Sequence, residues 1–168
     1  MAESSNVAEL IGKFSSHDGV VRQQAREQLV AVGKPAVAPL AEALGDSHKQ
    51  VRWEAAKALE QISDPEAAPQ LAVALGDEES DVRWVAGEAL IALKRQALVP
   101  VLDAVSTKPD SVWMFDGVHH VLRELAKDNE VQPILAPVIK ALSTPTIDER
   151  EIIVPVEAQK AAEKLRKM

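Results

Sequence analysis

The chain has 168 residues and a mass of 18.2 kDa, of which 46% are hydrophobic and 27% charged, enough for one domain with a sizeable core and unlike a disordered chain. A net charge of −7 and a pI near 5.1 argue against a protein built to hold phosphate backbones, so nucleic acid is not expected as a partner. With no cysteine, disulfides, thiolate metal sites and a cysteine nucleophile are all excluded.

The apolar residues are mostly small or aliphatic: 26 Ala, 20 Val and 16 Leu against 2 Phe, 3 Trp and no Tyr. That mixture suits slender helices packed closely in layers. Met1 to Asn6 is polar and holds no signal-sequence core, so a cytoplasmic protein is the expectation. No apolar run reaches about 18 residues, and no membrane span is expected.

Helical stripes follow one another along the chain. Val7, Leu10, Ile11 and Phe14 recur at i, i+3, i+4, i+7 and predict a short helix. Val21, Ala25, Leu29 and Val32 follow at i, i+4, i+8, i+11 and predict a longer one. Gly33-Lys34-Pro35 breaks the chain before Val37, Leu40, Ala41 and Leu44 repeat the short pattern. Beyond Gly45-Asp46 the long pattern returns as Val51, Ala55, Leu59 and Ile62. Ser63-Asp64-Pro65 separates it from the short stripe Ala68, Leu71, Ala72, Leu75. Gly76-Asp77 leads to the long stripe Val82, Ala86, Leu90, Leu93. The next short stripe is degenerate, because Asp103 and Ser106 fall on it, and it slips onto Leu98, Val101, Leu102 and Val105. A turn at Lys108-Pro109-Asp110 precedes Met114, Val118, Leu122 and Leu125, and Asp128-Asn129 precedes Leu135, Val138, Ile139 and Leu142. A late closing helix, of the long type that opens each pair, is expected at Ala158, Ala161, Ala162 and Leu165, with Pro155 kinking or starting it.

These stripes are copies of one unit. Val7, Ala8, Leu10, Val21, Arg22 and Ala25 recur 30 residues on as Val37, Ala38, Leu40, Val51, Arg52 and Ala55, and Val51-Arg52-Trp53 recurs as Val82-Arg83-Trp84. Neither helix of a pair can bury its stripe alone, but stacked pairs bury a continuous core. The string Asp-x-x-Val-Arg-x-x-Ala, here Asp18 to Ala25, resembles the HEAT-like repeat of the type named for phycocyanobilin lyases. The resemblance covers roughly residues 7 to 142. It implies an all-α, right-handed α-solenoid of about five HEAT-like helix pairs, in a single domain over residues 1–168. The fourth repeat, about 111–142, is irregular, and residues 143–168 form an atypical capping segment. In such repeats the Asp and Arg link neighbouring units, so Arg22, Arg52 and Arg83, with Asp46, Asp77 and Asp81, are expected to form a structural ladder.

Enzymatic relatives of this repeat type leave no trace in the residues. Deoxyhypusine hydroxylase uses His-Glu pairs as iron ligands, where this chain has Trp53-Glu54 and Trp84-Val85. The histidines His17 and His48 fall in turns, and His119 and His120 point about 100° apart on a helix rather than at the i, i+4 spacing of zinc ligands. No metal or cofactor is expected. Glu54, Glu60 and Glu88 read as carboxylates on solvated helix faces. Candidate partner-binding residues are Trp53, Trp84, Trp113, Phe115, His119 and His120. Trp53 and Trp84 sit 31 residues apart at equivalent positions, and two readings stand for them: packing between repeats, or an exposed recognition row. The cluster Trp113 and Phe115 likewise reads either as a cap on the irregular repeat or as a contact surface. The function expected is a non-catalytic scaffold that binds a protein partner on the concave, second-helix face, as a monomer or weak end-to-end oligomer. The alternative implied by the resemblance is a bilin lyase or bilin-handling subunit.

Overall fold

In a computed structural model, residues 2–107 and 112–168 are described, and the expected turn at Lys108-Pro109-Asp110 lies outside them. Among the described residues there are ten α-helices and no strand. They are α1 (Ala2–Gly12), α2 (Gly19–Val32), α3 (Val37–Ala43), α4 (Lys49–Ile62), α5 (Ala68–Ala74), α6 (Ser80–Ala92), α7 (Leu98–Ser106), α8 (Val112–Leu125), α9 (Gln132–Leu142) and α10 (Ile147–Leu165). The long helices α2, α4, α6 and α8 stack each on the next as a first layer, and α1, α3, α5 and α7 stack as a second. This is an all-α solenoid.

Local chemistry sets the corners. The long helices α2, α4 and α6 end where Gly33, Ser63 and Lys94 take a positive φ of 70°, 53° and 54°, at the same place in three successive repeats. Single residues can adopt that conformation at a helix end and turn the chain sharply. Pro35 and Pro65 then open a short 3-10 turn, where a missing N–H costs nothing. On the other edge, Asp46 and Asp77 accept from the backbone N–H of His48 and Glu79, at 2.7 and 2.9 Å, and so fold the turns into α4 and α6.

The core follows the predicted stripes, with Val21 half-buried and outside it. Phe14, Leu29, Leu40, Leu59, Leu71 and Leu90 are fully buried. Buried Ala55, Ala56, Ala58, Ala86 and Ala89 allow α4 and α6 to approach closely along their whole length. The degenerate stripe does slip as expected: Leu98, Val101, Leu102 and Val105 are all buried.

Two expectations fail at the C-terminus. The last helix starts at Ile147, not near Pro155, and runs through that proline. A proline removes one helical hydrogen bond, but burial of Val154, Ala158, Ala161 and Ala162 on either side holds the helix together. Nor does α10 extend the first layer. It packs along α7 and α9 in the second, where Arg166 pairs with Asp103 of α7.

Two helical glycines give opposite expectations. A Cβ on Gly117 would lie 3.1 Å from both the Cβ and the carbonyl oxygen of Leu75, whereas one on Gly87 would find its nearest neighbour at 3.7 Å. Gly117→Ala should therefore lose about 1 kcal/mol or more, overpacking outweighing the helical gain, while Gly87→Ala should gain about 0.5–1 kcal/mol. Urea unfolding of the two variants checks both signs.

Candidate functional site

The arginine ladder exists, and of the three expected aspartates Asp77 supplies its carboxylate to it. Nη1 of Arg22, Arg52 and Arg83 each donates to a carbonyl six residues back, on Ser16, Asp46 and Asp77, at 2.7, 2.9 and 2.7 Å. Arg150 repeats the device at the last corner, with Nε 2.6 Å from the Thr144 carbonyl. Links to the next repeat come from carboxylates. Arg52 forks onto both oxygens of Asp77 at 2.7 and 3.0 Å, and these neighbours raise the guanidinium pKa above its ordinary value. Arg22 and Arg26 share Glu54. Glu54 is only 2% exposed, so it is a buried ion-pair centre and not the solvated carboxylate that its helical position suggested. Asp81 takes no part in the ladder. It is exposed, with no ion pair or side-chain hydrogen bond among the described residues.

The aromatic candidates lie on the first layer, not on the second-helix face. Trp53 on α4 is half-buried, with the Arg26 guanidinium 5.8 Å from its ring centre. Trp84 on α6 is 60% exposed and stacks on His120 of α8, with ring centres 5.4 Å apart and planes 27° apart. Trp113, 48% exposed, lies under the guanidinium of Arg83 at 4.7 Å. Such cation–π pairs stabilise by about 0.5–1 kcal/mol at exposed positions. Phe115 departs from this set: it is 2% exposed and belongs to the core, because it lies three residues before Val118 and seven before Leu122, on their buried helix face. His119 is half-buried, its Nε2 3.3 Å from the Ser143 hydroxyl, and burial, then Arg123 and Arg150, holds its pKa below the usual value.

Two grooves flank Trp84. One, about 530 Å³, is lined by Trp53, Lys57, Ser80, Asp81, Trp84 and Val85. The other, about 320 Å³, lies between α6 and α8, where Leu75, Gly87 and Gly117 line it and His120 and Trp84 form one side. Both are open and shallow, a shape that suits a protein segment better than an enclosed small molecule. Among the described residues no three His, Asp or Glu side chains converge as metal ligands, and no helix is long and apolar enough to cross a membrane. Asp81 is the groove residue that repeat matching misassigns. Its spacing of three before Trp84, which puts both on one helix face, is the signal that marks it.

Three substitutions separate structural from surface residues. Phe115→Ala should cost about 3 kcal/mol or more, the range for a buried aromatic, and Trp113→Ala less, because 48% of its surface is exposed. Glu54→Gln should cost about 3 kcal/mol, because it leaves Arg22 and Arg26 facing each other without their shared anion. Thermal or urea unfolding of each variant gives the answer.

Comparison with known proteins agrees with this architecture. A family model of HEAT repeats matches residues 37–113, from the start of α3 into α8. No curated protein sequence matches the chain significantly. Among solved structures, a chain of the complex of CpcE and CpcF of phycocyanin lyase from Nostoc sp. PCC7120 is 18% identical. The match covers 94% of this chain and 98% of that one, with a TM-score of 0.57. A designed armadillo repeat protein in complex with the peptide (KR)4 is 15% identical over 94% of this chain and 87% of that one, with a TM-score of 0.48. An engineered protein is 17% identical over 96% and 99%, also with a TM-score of 0.48. At these identities the likeness is one of fold: HEAT-type repeats stacked as an all-α solenoid.

Proposed function

We propose that this chain is a non-catalytic protein-interaction module, built of HEAT-like repeats of the phycocyanobilin lyase type, and that its partner docks on the first-helix layer. The observation that carries this reading is the aromatic row. Tryptophans are 3 of 168 residues, and all of them lie on the first helices, with Trp84 60% and Trp113 48% exposed. Exposed tryptophan in a shallow groove is the kind of residue that dominates binding energy at interfaces. Among the described residues the second layer exposes aliphatic side chains rather than aromatic rings: Val73 on α5, and Ile152, Ile153 and Val156 on α10, which lies against α7 and α9. Aliphatic residues are under-represented among the anchors that dominate binding energy.

Quantitative mass spectrometry of proteins retained by the chain from its native host tests this. Trp84→Ala should release the retained partner at least tenfold while the helical circular dichroism stays unchanged. Val73→Gln should release nothing. Loss with Val73→Gln alone would return docking to the second-helix face, and a partner indifferent to both would end the first-layer reading.

The second reading is a bilin-handling subunit. Its support is the solenoid of the phycocyanin lyase complex, which this chain matches over 98% of that chain's length. Titration with phycocyanobilin separates the two: a stoichiometric change in the visible spectrum supports bilin handling, and an unaltered spectrum removes it.

A further inference from the structure

Charges along the first layer are largely satisfied within the fold. Arg22 and Arg26 meet Glu54, Lys49 lies 3.6 Å from Glu79, Lys57 lies 2.7 Å from Glu60, and Arg52 holds Asp77. Asp81 stands apart. It projects from the first turn of α6 and lines the Trp53–Trp84 groove without a partner among the described residues. The uncompensated charge in this groove is therefore negative.

The fold also shows what its tryptophans accept. Arg26 lies over Trp53, and Arg83 over Trp113. Trp84 has no such guanidinium, and the repeat explains why. The residue of α2 that covers Trp53 is Arg26, and 30 residues on, the corresponding residue of α4 is Ala56. Alanine ends at its methyl, so the side of Trp84 that faces α4 stays open. The other side is taken by His120. An open indole face, a second indole across the groove and a free carboxylate together attract a flat cation.

Resting on the interaction-module reading, we propose that the groove between Trp53 and Trp84 receives an arginine side chain from an exposed segment of the partner. The guanidinium pairs with Asp81 and lies on the Trp84 ring, and its methylene stem runs over the indoles. Lys57 borders the groove, but its ammonium is held by Glu60 and does not oppose the incoming charge.

The test uses the full chain and a blocked peptide, Gly-Gly-Arg-Gly-Gly, against the same peptide with neutral citrulline in place of arginine. Indole N–H signals are followed by proton–nitrogen NMR, which reads weak binding directly. The arginine peptide should shift the Trp53 and Trp84 signals saturably, with a dissociation constant on the order of 1 mM, and leave Trp113 in place. Citrulline should bind at least about fivefold more weakly, and Asp81→Asn should weaken the arginine peptide about three- to fivefold while the circular dichroism holds. Added salt should weaken binding as well. Equal binding of citrulline, an unchanged affinity in Asp81→Asn, shifts confined to Trp113, or no shift at millimolar peptide would each overturn the assignment. The two proposals fail separately. If Trp84→Ala releases the native partner while the arginine peptide is ignored, the module stands and the arginine falls. If the peptide binds as expected and no native partner depends on Trp84, the first-layer docking reading falls.

Discussion

A guanidinium that reaches back six residues to a carbonyl recurs at Arg22, Arg52 and Arg83. Each bond closes the corner through which the chain enters a long helix, where a carbonyl would otherwise lack a protein donor. The rest of the same guanidinium is free for a carboxylate of the next repeat, as Arg22 reaches Glu54 and Arg52 reaches Asp77. One side chain thus fixes both a turn and the spacing between neighbouring pairs. Burial of Ala and Val is itself non-directional, and the directional contacts add to close packing in setting the register. Burial of Arg52 and Glu54 carries a desolvation cost, which the bidentate and shared geometries offset.

Where the ladder is regular, the small residues between its rungs decide what the surface can do. Ala56 and Gly87 occupy the register of Arg26 in the two following helices. Their small size lets the layers close, and Ala56 also leaves the α4 side of Trp84 uncovered. The exposed ring is a by-product of tight packing beneath it, which explains how a core poor in aromatics comes to display one at its surface.

Much of this was legible in the sequence. Stripes of period 3.6 marked the helices, since each pair must bury one face against the next, and even the slipped stripe at Leu98 was readable from its apolar residues. Two features were hidden because they depend on neighbours distant in the chain. Glu54 looks like any surface glutamate until Arg22 and Arg26, on the previous helix, close over it. Asp81 looks like a ladder residue until Asp77 is seen to take that place with Arg52, leaving Asp81 beside Trp84. The helix through Pro155 was hidden for a related reason: the local penalty of proline is visible in sequence, and the tertiary burial that outweighs it is not.

The placement of α10 bears on how the molecule comes apart. In a simple solenoid each unit touches only its neighbours, so unfolding can begin at an end and advance one unit at a time. Here α10 lies against both α7 and α9, while Arg166 ties its end to Asp103 and Arg150 lies 3.5 Å from Asp116 of α8. Four helices from three successive units are thereby joined, and none can leave without stripping the others. The C-terminal part is built to unfold as one cooperative block, with amide protons that exchange together, whereas α1 packs chiefly on the one pair α2 and α3 and on the 3-10 turn at Lys13–Ser15.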